Sequence, residues 1–205
     1  MRDHPDIDVE HEETLSDGFL RMKRYRLRHR RFDGGWTPSV VREVCVRGLA
    51  VAVLLYDPHA DAVVLVEQFR PGAAVGGGPA WLTEIVAGMV KPGEAPEEVA
   101  RREAMEEAGA SVGALLKICD YYPSPGILSE KVALYCGQVD SAKVAAFGGL
   151  PEEHEDIKIT VASADAAIAL LDSNQLNNSI AIIAMSWLAR RRDDLRAAWL
   201  NTAAQ

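Results

Sequence analysis

The chain has 205 residues, 48% of them hydrophobic and 25% charged, which are ordinary proportions for a globular protein. Its 30 acidic and 22 basic residues give a net charge of −8, which argues against nonspecific binding to nucleic acid or to a membrane surface. Three widely spaced cysteines without a CxxC pair fit the reduced thiols of a cytoplasmic protein, not a disulfide framework or a zinc site.

The first 47 residues predict a small antiparallel sheet. The first fifteen or so are acidic, lack the basic and apolar segments of a signal peptide, and are expected to be loose at the end. Residues 25–30 alternate Tyr, Leu and His with arginine, the period of two typical of a strand. A turn at Asp33–Gly35 and a return strand at Trp36–Val46 follow. The arginine stripe is either a solvated strand face or a surface for a partner or ligand.

Residues 48–87 predict three more strands. Leu49–Tyr56 is a nearly continuous apolar run, which favours a strand buried on both faces. Ala62–Phe69 and Leu82–Ala87 are the next two, with the glycine loop Gly76–Gly78 between them. That loop lacks the GxxxxGK[ST] pattern of a P-loop. The third strand leads into another glycine and then a helix, an order that suits phosphate binding at the helix N-terminus.

The segment that starts at residue 88, GMVKPGEAPEEVARREAMEEAGA, predicts a helix that begins near Pro96 and ends at Gly109. Glu103, Glu106 and Glu107 are spaced i, i+3 and i+4, so they share one helix face, where each like-charged pair costs a few tenths of a kcal/mol. A solvated acidic face is the simple explanation. A bound Mg²⁺ is the other, because this ion takes carboxylate oxygens together with phosphates.

The rest of the chain predicts three strands and two helices. The strands are Leu115–Tyr122, Lys131–Val139 and Ile157–Val161, and the helices are Ala164–Leu171 and Ser179 to about Trp199. Ser163 is a plausible cap for the first of these helices. An ordered Pro-Ser-Pro-Gly loop at residues 123–126 separates the first two strands. An acidic block, Glu152–Asp156, precedes the third and on its own is most simply solvated. The longest apolar run, Ile180–Ala189, is too short to span a bilayer.

The helical segment and its flanks resemble the Nudix box of the Nudix hydrolases. The fixed positions of that box are met by Gly88, Glu94, Arg102, Glu103, Glu106, Glu107 and Gly109. Ala104 and Ala110 stand where the family often has larger aliphatic residues. The resemblance extends beyond the box, from about Phe19 to Trp187, through the segments VEQFRPGA, WLTEIVAGMV, PSPG and EEHEDI. Over this range the chain resembles the bacterial ADP-ribose pyrophosphatases of the superfamily.

This resemblance implies an α/β fold. The Nudix α/β/α sandwich with a mixed central sheet would occupy residues 48–205, and a small antiparallel sheet would occupy residues 1–47. The small sheet would be exchanged between subunits of a domain-swapped homodimer. The implied activity is Mg²⁺-dependent hydrolysis of the pyrophosphate bond of ADP-ribose to AMP and ribose 5-phosphate, with Mn²⁺ able to replace Mg²⁺.

Two alternatives stay open at this point. The same chemistry could act on another nucleoside diphosphate sugar, such as GDP-mannose. The chain could also be a non-catalytic Nudix domain that senses ADP-ribose, although such domains usually lose box glutamates that are present here. A small-molecule nucleotide sugar is the expected partner in each case, without nucleic acid or membrane.

The resemblance also assigns roles to residues by matching position. Metal ligands would be the side chains of Glu103, Glu107 and Glu155 and the backbone carbonyl of Ala87. The catalytic set would be Glu153 as general base, Glu106 close to the metal, and Arg102 holding the glutamates. The substrate would contact Arg70 and Met89, then Phe19 and Arg42 of the partner subunit at the adenine, and Ser124 and Glu130 near the terminal ribose. His154 receives no role.

Overall fold

The computed structural model describes residues 4–202. The chain forms two compact units, the first from residues up to Leu49 together with Tyr122–Lys131, and the second from Ala50–Tyr121 together with residues from Val132 onwards.

The first unit contains an antiparallel sheet of three strands in the order β1 (Ile7–Asp17), β2 (Arg21–His29) and β3 (Val40–Val46). The return strand begins four residues later than predicted. Trp36 forms only an isolated bridge to Arg30, whose guanidinium lies 4.4 Å from the centre of the indole ring.

Strand β1 covers most of the acidic N-terminal segment; looseness was expected only at its very end, where residues 1–3 lie outside the described residues. Its carboxylates face the basic residues of β2: Glu12 pairs with Lys23, and Asp8 lies 2.6 Å from Arg28. Each opposite-charge pair across two strands contributes about 0.2–1 kcal/mol. Of the arginine stripe, Arg28 is matched by a carboxylate of β1, a pairing that each segment alone does not reveal, whereas Arg30 lies over the ring of Trp36.

The segment Tyr122–Lys131 is joined to the end of β3 by backbone hydrogen bonds. The N–H of Cys45 donates to the carbonyl of Ile127 at 2.8 Å, and the N–H of Ser129 donates to the carbonyl of Cys45 at 3.0 Å. The first unit therefore includes the predicted Pro-Ser-Pro-Gly loop.

Within the described residues, the second unit contains a mixed sheet of eight strands and four helices. Its strands are β4 (Leu49–Asp57), β5 (Ala62–Phe69), β6 (Trp81–Glu84), β7 (Val86–Met89), β8 (Leu115–Tyr121), β9 (Lys131–Gln138), β10 (Phe147–Gly148) and β11 (Ile157–Ser163). Its helices are α1 (Pro71–Val75), α2 (Pro96–Ala108), α3 (Ala164–Asp172) and α4 (Ser179–Thr202). The main strand order is β10-β11-β5-β4-β9-β8, with β6 beside β5 and β7 beside β4. The predicted fold class, with a mixed central sheet and a separate small antiparallel sheet, is confirmed.

One local prediction for this unit was wrong, and one short helix was not predicted. The single strand predicted at Leu82–Ala87 is interrupted at Ile85, because β6 pairs with β5 while β7 pairs with β4. The segment before the glycine loop contains the short helix α1, which begins at Pro71, a residue suited to a first helical turn.

The core has two sides, one on each face of the sheet. One side packs α3 and α4 against alternate residues of β4 and β5, including Leu54, Tyr56 and Leu65. The residues between them point to the other face, where α2 contacts β5 and β7. The burial of β4 on both faces is confirmed, since residues 50–57 are all buried.

An ion pair connects α4 to the turn between β4 and β5. Nε of Arg192 donates to Oδ1 of Asp61 at 2.9 Å, and the hydroxyl of Tyr56 donates to the same oxygen at 2.7 Å. The bond from Arg192 lowers the pKa of Asp61 to about 2. No helix among residues 4–202 is long and apolar enough to cross a membrane, and Cys45, Cys119 and Cys136 are free thiols.

Candidate active site

The helix α2 has the ends that the sequence predicts. Pro96 occupies its first turn, and the N–H of Ala95 donates to the Glu98 carboxylate at 3.3 Å. Gly109 ends it in the left-handed conformation with φ of 60°, and the N–H of Ala110 donates to the carbonyl of Ala104 at 3.0 Å. The orientation of the glutamates on this helix is therefore fixed at both ends.

Two contacts bring α2 directly onto β7. A Cβ atom on Gly88 would lie 1.9 Å from Oε1 of Glu103, so only glycine leaves room for this carboxylate over the strand. The backbone N–H of Ala87 donates to Oε2 of Glu107 at 3.3 Å. Gly88, the first residue of the box, thus allows the helix to approach the strand closely.

A second close approach brings the acidic loop to the end of α2. The N–H of Gly149 donates to the carbonyl of Glu106 at 3.0 Å. A Cβ on Gly148 would lie 2.0 Å from the carbonyl oxygen of Glu107. The paired glycines before the acidic block were the available sequence signal for this contact.

Three carboxylates repel one another at this junction. Burial, with a smaller effect from the charges of Glu103 and Glu155, raises the pKa of Glu107 to about 8, although the Ala87 N–H and the charge of Arg70 act to lower it. Burial also raises the pKa of Glu103, with Glu155 again adding to the effect. The crowding of Glu103, Glu107 and Glu155 in a partly buried place therefore disfavours the ionised form of Glu103 and Glu107.

Arg102 lies at the edge of this cluster and contacts three glutamates. Its Nη1 is 2.8 Å from both Oε1 of Glu103 and Oε2 of Glu106, and its Nε donates to Glu94 at 3.1 Å. Burial opposes the charge of Arg102, but these hydrogen bonds and charges raise its pKa overall. The guanidinium fixes the positions of side chains on two successive turns of the helix.

Arg70 is held by a residue that sequence reasoning missed. It follows β5, and its Nε and Nη2 lie 2.9 and 2.7 Å from Oε2 of Glu84. Glu84 is only 8% exposed. An acidic residue within an otherwise apolar strand was the signal that could have found it.

The two residues of the acidic block with predicted roles, Glu153 and Glu155, lie in different surroundings. Glu153 is exposed at the end of a 3₁₀ turn, Pro151–Glu153. Glu155 folds back and its Oε2 accepts the N–H of Leu150 at 3.1 Å. Between them, His154 is exposed with φ of 57°. Of this block, only Glu155 acts electrostatically on both Glu103 and Glu107.

The oxygen atoms of these carboxylates suit a hard divalent cation, but they would supply only part of its ligands. Among the described residues, no three His, Cys, Asp or Glu side chains form a ready-made metal cage. However, the carboxyl groups of the cluster are crowded in one place, a cation would favour their ionised form, and they provide only oxygen donors. Mg²⁺ commonly takes one or two carboxylates and completes its shell with waters and substrate phosphates.

Met89, the other predicted substrate residue of the second unit, is not part of this cluster. The side chain of Met89 packs against the core on the α3–α4 face. Phe19, Arg42, Ser124 and Glu130 belong to the first unit.

Within the first unit, Arg47 connects two of the predicted substrate residues. Phe19 is 94% exposed, and the guanidinium of Arg47 lies 5.6 Å from the centre of its ring. Arg47 Nε is 3.4 Å from Glu130 Oε2. Sequence reasoning did not single out Arg47. Arg42 is exposed on β3, and its Nη1 donates to the carbonyl of Val41 at 2.8 Å.

Comparison with known proteins identifies the family. A model of the NUDIX domain matches residues 46–179. An ADP-ribose pyrophosphatase from Haemophilus influenzae is 42% identical over 197 residues, covering 95% of this chain and 91% of that protein. An ADP-ribose pyrophosphatase from Escherichia coli strain K12 is 39% identical over 194 residues, covering 95% and 93%.

Two further similarities are more distant. A GDP-mannose pyrophosphatase from Enterobacter sp. strain 638 is 32% identical over 185 residues, covering 89% of this chain and 94% of that protein. A crystal structure described as an ADP compounds hydrolase has a TM-score of 0.67 at 19% identity, covering 91% and 96% of the two chains, and supports the fold alone. The match to the domain model and the similarity along almost the whole chain show that this protein belongs to the Nudix family.

Proposed function

We propose that this protein hydrolyses the pyrophosphate bond of ADP-ribose to AMP and ribose 5-phosphate with a divalent cation, Mg²⁺ or Mn²⁺. The assignment of ADP-ribose as the substrate rests on which relatives are more similar to this chain. Relatives named ADP-ribose pyrophosphatase are 42% and 39% identical over 95% of the chain, whereas a relative named GDP-mannose pyrophosphatase is 32% identical over 89%.

The carboxylate cluster supports the proposed reaction class. Glu103, Glu107 and Glu155, with the carbonyl of Ala87, would hold the cation, and Arg102 keeps two glutamates of α2 in place. A bound divalent cation neutralises the charge of a diphosphate and orients the attacking water. Such an ion would stabilise the ionised form of Glu107, which burial and the neighbouring carboxylates disfavour.

Two residues outside the helix complete the proposed site. Arg70 would bind the diphosphate, since a guanidinium can donate two parallel hydrogen bonds to phosphate oxygens. Glu153 would accept a proton from the attacking water, as a carboxylate within hydrogen-bond reach can. Its exposed position on a short turn leaves its carboxylate open to solvent.

The proposal includes a domain-swapped homodimer in the cytoplasm. Phe19 and Arg42 of the partner subunit would hold the adenine, while Ser124 and Glu130 would lie near the terminal ribose. The exposed ring of Phe19 supports a stacking role, and the three free cysteines suit a reducing compartment. Sedimentation of an active monomer would contradict this part of the proposal.

GDP-mannose is the second candidate substrate, favoured by the 32% identity to a GDP-mannose pyrophosphatase. A non-catalytic ADP-ribose sensor is less well supported, because Glu103, Glu106 and Glu107 are all present and lie on one helix.

Product analysis tests the proposed reaction. Purified protein with Mg²⁺ and ADP-ribose is expected to release AMP and ribose 5-phosphate in equal amounts, and EDTA is expected to stop the release. Glu103→Gln should reduce kcat by orders of magnitude, since it weakens the stabilisation of transition-state charge. No AMP from the wild-type protein, or near-normal turnover by Glu103→Gln, would contradict the proposal.

A further inference from the structure

Gln68 is a buried polar residue whose side-chain donor is unused. It is 6% exposed, and its Nε2 has no hydrogen-bond partner within the described part of the chain. An unsatisfied buried donor costs stability, and an apolar residue of the same shape would avoid that cost. The neighbour directly across the strand pair is Leu82, so the position suits an apolar side chain. The amide therefore calls for an explanation other than packing.

The strand register places Gln68 on the same face as Arg70 and Glu84. In an extended strand, residues i and i+2 share a face, and Arg70 keeps extended geometry with φ of −127° and ψ of 100°. Directly opposed residues on paired strands also share a face, and Glu84 lies opposite Val66, two residues before Gln68. This is the face that α2 covers with its glutamates.

The Arg70–Glu84 ion pair crosses the row that contains Gln68. The N–H of Arg70 bonds to the carbonyl of Ala80, whereas Glu84 lies four residues further along the same strand, which is about 13 Å at strand spacing. To reach Glu84, the guanidinium must extend back over Gln68 and Leu82. By register, Gln68 thus lies in the row between Arg70 and the residue that faces Glu84.

This arrangement matters as soon as Arg70 binds a ligand. Glu84 is 8% exposed, and Arg70 supplies both of its ionic hydrogen bonds to the described residues, at 2.7 and 2.9 Å. Removing one partner from a buried ion pair leaves an uncompensated charge, which is strongly unfavourable. A donor adjacent to Glu84 would remove most of that penalty.

We propose that Gln68 is a positioning residue that takes over Glu84 when Arg70 turns to the diphosphate of the substrate. Nε2 of Gln68 then donates a hydrogen bond to the Glu84 carboxylate, which stays satisfied while the guanidinium binds phosphate oxygens. The inference rests on the proposed function in one respect, the binding of a diphosphate by Arg70. The terminal torsion of a glutamine is broad, so the amide can turn towards Glu84 without leaving its rotamer.

A double-mutant cycle on Gln68 and Glu84 tests this exchange. The variants are Gln68→Met, Glu84→Met and the double variant, since methionine keeps the side-chain length and removes the polar atoms. Two quantities are measured for each: the free energy of unfolding without ligand, and the Kd of methylenediphosphonate, a non-hydrolysable diphosphate, with Mg²⁺. Glu67→Met is the matched control, because Glu67 lies on the opposite face of the same strand and bonds to Lys158 at 3.1 Å.

We expect Gln68→Met to weaken diphosphate binding about tenfold and to leave the unliganded protein as stable as wild type or more so. In the Glu84→Met background, the same change should have little further effect on Kd. The coupling between Gln68 and Glu84 should therefore appear in the Kd and not in the free energy of unfolding. The control variant Glu67→Met should bind the diphosphate as wild type does. With a hydrolysed substrate, KM should rise about tenfold and kcat should stay within about twofold, because the penalty is the same in the bound and transition states.

The outcomes separate this inference from the proposed function. Additive effects on Kd, coupling that appears only in stability, or no binding of the diphosphate by wild type would overturn the role of Gln68, even if ADP-ribose is hydrolysed. Coupling in Kd would support it, even if ADP-ribose proves not to be the substrate.

Discussion

Replacing Gly88 by alanine should damage the site while leaving the fold largely intact. The new Cβ would lie 1.9 Å from Oε1 and 2.0 Å from Cδ of Glu103. A tolerable contact needs about 3.0 Å, so the carboxylate must move by about 1 Å or more. Because the atoms in the way are the end of a flexible side chain, the cost in stability should be at the low end of the roughly 1–3 kcal/mol of overpacking. A displacement of about 1 Å at a catalytic group can cost about 100-fold in rate.

The assay for Gly88→Ala combines turnover with urea unfolding. We expect kcat to fall about 100-fold and the free energy of unfolding to fall by about 1 kcal/mol. Gly113→Ala is the matched control, since its Cβ would meet nothing closer than 3.5 Å. The double variant Gly88→Ala/Glu103→Gln should have the same kcat as Glu103→Gln alone, because the alanine reduces turnover only by displacing the Glu103 side chain. Turnover within threefold of wild type, or additive losses in the double variant, would refute the reasoning.

Three further predictions follow from buried contacts. Gly148→Ala should reduce the free energy of unfolding by about 1–3 kcal/mol in urea titrations, because its Cβ would lie 2.0 Å from a backbone oxygen that cannot swing away; a loss under about 0.5 kcal/mol would contradict this. Glu107→Gln should raise the stability of the EDTA-treated protein while cutting kcat by orders of magnitude, since burial disfavours the carboxylate; unchanged stability would argue against that burial cost. Asp61 has its pKa lowered from 3.8 to about 2, so its stabilisation is complete above pH 3.8 and is lost as the pH falls towards 2. Between pH 4 and 2, wild type should lose up to about 2 kcal/mol more than Asp61→Asn, less whatever solvent screening removes, and parallel losses would contradict the pairing with Arg192.

The sequence predicts elements whose signals are local. The helix α2 begins and ends where Pro96 and Gly109 suggest, and the apolar run of β4 is buried on both faces as its composition requires. The shared face of the box glutamates follows from spacing alone. These features depend on residues that are close together in the chain, so a single segment contains the information.

Features that depend on two distant segments could not be predicted in this way. Strand β1 was not predicted, because its carboxylates find their partners only when the basic strand β2 lies beside it. The pair of Arg70 and Glu84, and the position of Gln68 on the same face, emerge only from the register of β5 with β6. The close approach at Gly148 likewise requires knowing that the acidic loop returns to the end of α2.

The most direct test of the proposed function is the ratio of kcat/KM for ADP-ribose to that for GDP-mannose, measured with the same Mg²⁺ concentration and the same protein preparation. Discrimination between these substrates reflects differences in transition-state binding, and we predict a ratio of at least about ten in favour of ADP-ribose. A ratio near one, or a preference for GDP-mannose, would contradict the assignment of ADP-ribose as the substrate.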